Sequence, residues 1–124
     1  MTYLFDGHIR HRDSLGTEMV IRPGDVNLMT AGRGIVHSER SPEEERNGPL
    51  SISGVQTWLA LPEQFEEADP HFYHTNSPDL PLMVDRVLNG RLIIGSLHCV
   101  SSPLFQLADT LYVDSEVLSV RRLH

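Results

Sequence analysis

Thr30–Glu45 reads TAGRGIVHSERSPEEE. It sets two glycines, a histidine and a glutamate beside the short apolar pair Ile35-Val36. On a β-strand, residues i and i+2 point to the same face. A strand through IVHSE therefore puts His37 and Glu39 on one face, and Val36 and Ser38 on the other. An imidazole and a carboxylate side by side make half of a nitrogen/oxygen metal site of the kind that suits Fe(II) or Mn(II). Gly32 and Gly34 let the backbone turn tightly just before it. The same two side chains also read as the solvent face of an edge strand. The H-x-E pair alone leaves both readings open.

Outward from this stretch, the chain reads as strands separated by turns. TYLFD and HIRHRD are short strands around the turn signal Asp6-Gly7, and DSLG is a second turn. Met19–Arg22 and Val26–Met29 read as strands flanking Pro23-Gly24-Asp25. RSPEEERNGPL is a charged loop with a solvated face. SISGVQTWLALP gives the longest apolar strand pattern, with Trp58 expected in the core and Gln56 either in the core or facing a site. Glu63–Ala68 suits one helical turn within a longer loop that carries His71 and His74. MVDRVLNG and RLIIGSLHCV follow as strands with a hairpin turn expected at Asn89-Gly90, and Cys99 is expected to be buried. TLYVDSEVLSV is a last strand. Eight prolines and nine glycines leave little room for long helices. The pattern predicts an all-β antiparallel sandwich or barrel.

A chain of 124 residues suits one domain. Its formal charge of −7 disfavours direct binding to nucleic-acid phosphates, so no direct nucleic-acid partner is expected. No stretch approaches the roughly 20 apolar residues of a membrane span, so no membrane partner is expected either. The first ten residues, MTYLFDGHIR, lack the pattern of a secretory signal. Cys99 is the one cysteine, which excludes an internal disulfide and fits a reducing, cytoplasmic location. No phosphate-cradling loop is present, because AGRGIV lacks the Lys-Ser/Thr ending.

Three motifs carry a resemblance. HRDSLG (His11–Gly16), RPGDVNLMTAGRGIVHSE (Arg22–Glu39) and VQTWLALP (Val55–Pro62) resemble the pirin family of the cupin superfamily in order and spacing. The resemblance runs from Thr2 to about Asp114. It implies a cupin-like double-stranded β-helix, one of two such barrels in the family's chains. It also implies a metal, usually iron, held by three histidines and one glutamate in the N-terminal barrel. By this match His37 and Glu39 are metal ligands, and Glu39 is a ligand or a catalytic base. The family's other two histidines form an H-x-H motif ahead of the strand matching TYLFDG, and that motif has no counterpart in this sequence. TLYVDSEVL resembles the entry to the second barrel. The expectation is a partial N-terminal cupin domain at 1–114 and a tail at 115–124.

The implied cofactor is Fe(II) or another divalent metal, or none for want of the H-x-H ligands. Two protein ligands predict weak metal binding and little oxygenation of quercetin. One of His8 and His11 can reach a metal, but they lie three residues apart and cannot both mimic H-x-H. The other reading of His11 is a surface position or a pair with Asp13. Three functions stand open. The first is a metal-dependent dioxygenase of the quercetinase type, acting on a small aromatic substrate such as a flavonol. The second is a non-catalytic cupin module that works through a protein partner, as a transcriptional cofactor does. The third is a truncated, inactive paralogue. A homo-oligomer is also expected, most simply a closed homodimer, paired through the N-terminal strand, the strand TLYVDSEVL, or both.

Overall fold

A computed structural model describes residues 1–84, 88–97, 99–104 and 112–117. Twelve strands and three single 3-10 turns make up the regular structure among these residues, with no α-helix. All of the strand pairs are antiparallel. The strands are β1 (Thr2–Asp6), β2 (Ile9–Asp13), β3 (Glu18–Ile21), β4 (Val26–Thr30), β5 (His37–Arg40) and β6 (Ser53–Gln56). They continue with β7 (His71–Thr75), β8 (Leu82–Val84), β9 (Leu88–Ile94), β10 (Ser96–Leu97), β11 (Val100–Ser101) and β12 (Tyr112–Val117).

Two sheets frame the site. One runs β6-β1-β4-β7 and the other β3-β2-β5. A third sheet, β12-β9-β8, brings Ile93 and Ile94 into a core with Tyr3, Val26, Leu28, Leu80 and Leu104. Each fully buried aliphatic side chain in such a core contributes about 1.5–3 kcal/mol relative to exposure. The β3-β2-β5 sheet approaches the first sheet through the face that carries His11 and Glu39. The His11 ring of β2 stacks on Phe72 of β7, centroids 4.4 Å apart. Glu39 of β5 receives a hydrogen bond from Gln56 of β6.

Several local expectations are corrected. The strand at the site begins at His37, and Val36 before it is 77% exposed. SISGVQTWLALP forms strand only over Ser53–Gln56. Beyond it the chain leaves the sheet, and Trp58 is 98% exposed instead of core. His71–Thr75, expected as loop, is strand β7, held by a five-residue pairing with β4. Asn89-Gly90 lies inside β9, so it is not the turn between β8 and β9. Cys99 is exposed with φ 65°, not buried. The N-terminal strand β1 lies between β6 and β4, paired with β6 from Thr2 to Asp6 and with β4 at Thr2 and Tyr3, so it is an interior strand of its sheet. β12 continues past Asp114 in register with β9, and residues 118–124 lie outside the described residues, as do His98 and His124.

The turn that delivers His37 depends on Gly32. Its φ is 50°, and a Cβ there would collide with the carbonyl oxygen of Ala68. Arg33 N–H donates to that same oxygen at 3.1 Å, and Gly34 N–H closes the turn onto the Ala31 carbonyl at 2.9 Å. In urea denaturation, Gly32→Ala is expected to cost about 1–3 kcal/mol from backbone strain. Ile93→Ala, in the core, is expected to cost about 2–5 kcal/mol. Trp58→Ala is expected to stay within about 0.5 kcal/mol, because its side chain buries almost nothing. A large loss for Trp58→Ala would show that the side chain packs in solution.

Candidate metal centre

The register of β2 against β5 builds the site. His11 stands opposite Glu39, and Asp13 opposite His37. Period-2 alternation then turns His11, His37 and Glu39 toward one side. Their ligand atoms lie within 4.8 Å of one another. His11 is buried, Glu39 is partly covered, and His37 is exposed at the rim. The His11 and His37 rings have centroids 5.5 Å apart, tilted by 31°.

Each member has its own support. The Nε2–H of His11 donates to Asp13 Oδ2 at 3.0 Å. Asp13 Oδ1 accepts the backbone N–H groups of Leu15 and Thr17 at 2.9 and 3.0 Å. Burial opposes the charge on Asp13, but the bonds from His11, Thr17 and Leu15 outweigh it and hold its carboxyl below the ordinary range. Glu39 is steadied by the Gln56 side-chain amide, which also donates to Thr2 Oγ1 at 3.2 Å. His11 Nδ1 faces Glu39 Oε1 at 3.6 Å, too long for a hydrogen bond, and has no partner although it is buried.

The three residues line a cavity of about 610 Å³. Its other walls are largely apolar: Leu28, Met29, Ile35, Leu59, Leu61 and Phe72, with Trp58 at the edge. The buried amide of Asn27 also lines it, and its Nδ2 has no partner. A cavity of this size, mostly apolar with a few convergent polar groups, suits a small organic ligand. The donor set, two imidazoles and one carboxylate, fits a divalent transition metal. The orphaned, buried Nδ1 of His11 agrees with that fit.

The Pirin family model matches residues 1–59. A pirin-like protein of Caulobacter vibrioides is 48% identical over 112 residues, covering 85% of this chain and 38% of its own. The chain belongs to the pirin family. Pirin-1 of Arabidopsis thaliana is 36% identical over 92% of this chain and 38% of its own length. The crystal structure of a quercetin 2,3-dioxygenase from Acinetobacter baumannii superposes with a TM-score of 0.84 at 36% identity, over 94% of this chain and 37% of that one. This pirin chain thus has the cupin-type fold and spans less than half the length of the relatives it matches.

The pirin resemblance points to His37 and Glu39, and the fold brings those two together. It adds His11, which a two-ligand reading leaves out. The signal for His11 is its place on the strand that pairs with HSER, and only the register reveals it. Gln56 also takes a site role, as the support of Glu39. The other histidines go elsewhere. His8 pairs with Glu45 at 2.7 Å. His74 bonds Asn27 Oδ1 at 2.7 Å, and His71 stacks on Tyr73. Arg33 makes an exposed ion pair with Asp69. Among the described residues no helix is long and apolar enough to cross a membrane.

Asp13 gives the site a pH signature. Its lowered carboxyl contributes stability above the ordinary aspartate value of about 3.9. That contribution is lost as pH falls through the lower folded value. Asp13→Asn is expected to be less stable than the parent at pH 7, with the gap narrowing once pH drops below about 4. Urea midpoints of both proteins at pH 7, 5, 4 and 3 check this, and a gap that stays constant over the series would contradict it.

Proposed function

We propose that this chain is the metal-bearing part of a pirin that oxygenates a small aromatic substrate of the flavonol class. The observation that carries this reading is the convergence of His37, Glu39 and a buried histidine on the wall of an apolar cavity. The similarity to a quercetin 2,3-dioxygenase supports it. His37 and Glu39 would hold Fe(II) or another divalent ion. When bound, such an ion supplies Lewis-acid polarisation of a substrate oxygen.

The chain's own residues do the rest. Phe72, Leu28, Ile35 and Leu59 line the space for aromatic rings and exclude water. A carboxylate has about four acceptor positions. Glu39 can therefore keep the Gln56 bond on Oε2 and still accept a proton from a substrate hydroxyl. Gln56, anchored on Thr2, keeps that carboxylate from swinging into solvent. We further propose that residues 1–114 form a partial N-terminal cupin domain and that 115–124 lead out of it, the first three of them still paired with β9. The lone cysteine suits a cytoplasmic setting.

Metal content after purification without a metal-binding tag is the first test. About one equivalent per chain is expected, falling severalfold in His37→Ala and Glu39→Ala, because each lost ligand removes affinity and geometry. Quercetin turnover in air, with Fe(II), Mn(II), Ni(II) and Cu(II) supplied in turn, is expected only with metal and to disappear in both variants. Turnover unchanged by loss of His37 would refute the reading.

A second reading, a module that works through contacts with a protein or another copy, is favoured by the exposed apolar side chains. Trp58, Val36, Val84 and Leu82 are 98, 77, 70 and 61% exposed. Among the described residues β12 pairs only with β9, which leaves its other edge as a template for pairing. Light scattering during size-exclusion chromatography is expected to give a dimer at micromolar concentration. A stable monomer would remove self-association through that edge.

A further inference from the structure

We infer that Asn27 selects the ligand of this cavity by donating from its amide Nδ2 to an uncharged carbonyl oxygen on an aromatic ring system, and that His74 holds the amide in that sense. The inference deepens the aromatic-substrate reading given above and rests on it for the occupant of the cavity.

The register of the first sheet sets four polar side chains in one row. Gln56 of β6 stands opposite Thr2 of β1, Thr2 opposite Asn27 of β4, and Asn27 opposite His74 of β7. Residues directly opposite one another on paired strands share a face. On β4 this face alternates with the one through which Val26 and Leu28 enter the core. Asn27 is buried, 3% exposed, and lines the cavity. Polar groups in such a place call for partners. At one end of the row the Gln56 amide donates to Thr2 Oγ1 at 3.2 Å. At the other end the His74 Nδ1–H donates to Asn27 Oδ1 at 2.7 Å. The row is open in the middle, where Asn27 Nδ2 is buried and has no partner. The Thr2 hydroxyl beside it accepts from Gln56 and keeps its own proton to give.

His74 decides which end of the Asn27 amide meets the cavity. With Oδ1 accepting from the ring, the N–H groups of Nδ2 are left for a ligand; a reversed amide would present an acceptor instead. Nε2 of the same ring lies 3.2 Å from Asn76 Oδ1 and 3.9 Å from Asp25 Oδ2. A ring protonated at both nitrogens satisfies both amide oxygens. Asp25 is itself fixed, because it accepts the backbone N–H groups of Arg22 and Ser77 at 3.1 and 2.9 Å.

The ligand that fits this wall presents an acceptor without a charge. Leu28, Met29 and Phe72 line the cavity with Asn27 and suit a flat apolar body. The Glu39 carboxylate in the same cavity disfavours an anion. A ring carbonyl meets both demands. A site that leaves a buried donor unpaired discriminates against an analogue without the acceptor, here by about tenfold to a hundredfold.

Flavone, whose one polar substituent is a ring carbonyl, and flavan, the related skeleton without it, are the probes, with quercetin as a third. Calorimetry on the full chain with EDTA keeps metal ions from competing for the carbonyl. A buffer at pH 6 keeps imidazoles with the ordinary value of about 6.5 mostly protonated. The parent is expected to bind flavone at least tenfold tighter than flavan, and flavone is expected to shift the 1H–15N side-chain amide signals of Asn27. Asn27→Leu is expected to bring the two affinities within about threefold of each other while flavan binding holds, a change in preference that a merely structural role would not produce. His74→Phe, which frees the amide to turn, is expected to lower the preference severalfold. Circular dichroism checks that each variant folds. If Asn27→Leu does not fold, the parent's preference, its amide shifts and His74→Phe still decide. Equal binding of flavone and flavan by the parent, a preference that survives Asn27→Leu, or binding of quercetin alone would overturn the inference and spare the aromatic-substrate reading. No binding of any of the three by the parent would overturn both.

Discussion

The antiparallel pairing of β2 with β5 is the constraint on which the site depends. It sets His11 opposite Glu39 and Asp13 opposite His37. A slip of one residue would send every one of these side chains to the other face. Asp13 also caps the turn of the adjoining β2–β3 hairpin through Leu15 and Thr17 while it holds His11. One carboxylate thus ties a backbone turn to a site side chain. The polar network around His11 is structural and chemical at once, which makes it sensitive to the loss of any one member.

The second sheet supplies what this network lacks. β6 contributes Gln56, which holds Glu39 from the side away from His11. β7 contributes Phe72, which stacks on the His11 ring. β4 contributes Leu28 and Met29 to the apolar wall. His11, His37 and Glu39 therefore share the β2-β5 wall, while Thr2, Asn27 and Gln56 bring polar groups from the other sheet, and such buried polar interactions are stronger than in water. Gly32 links the two sheets to the rim, because its close approach to Ala68 positions the turn from which His37 emerges.

The exposed apolar residues are a separate feature. Trp58 borders the cavity and is also open to solvent. A side chain in that position can contact a ligand entering the cavity or a protein surface laid over it. The relatives are more than twice as long as this chain, and the crystal structure it matches is covered to 37%. The catalytic reading and the contact reading thus concern adjoining surfaces and are physically compatible.

The sequence by itself determined the all-β character, because short β-branched runs between Gly, Pro and Asp turns leave no length for helices. It also placed His37 and Glu39 on one face, since an i, i+2 spacing on a strand is a local property, and the motifs around them carried the family. The structure moved several boundaries. Trp58 left the core, because apolar alternation in SISGVQTWLALP does not say where the chain quits the sheet. HFYHT became a strand because β4 offered it a partner, which nothing local announces. His11 is the clearest case. Its neighbours Arg10 and Arg12 suggest a surface strand, yet it is 1% exposed and stands beside Glu39. Which residues face each other across two strands is set by register and by the sheet packed on top. Those are long-range choices, and only the tertiary structure made them.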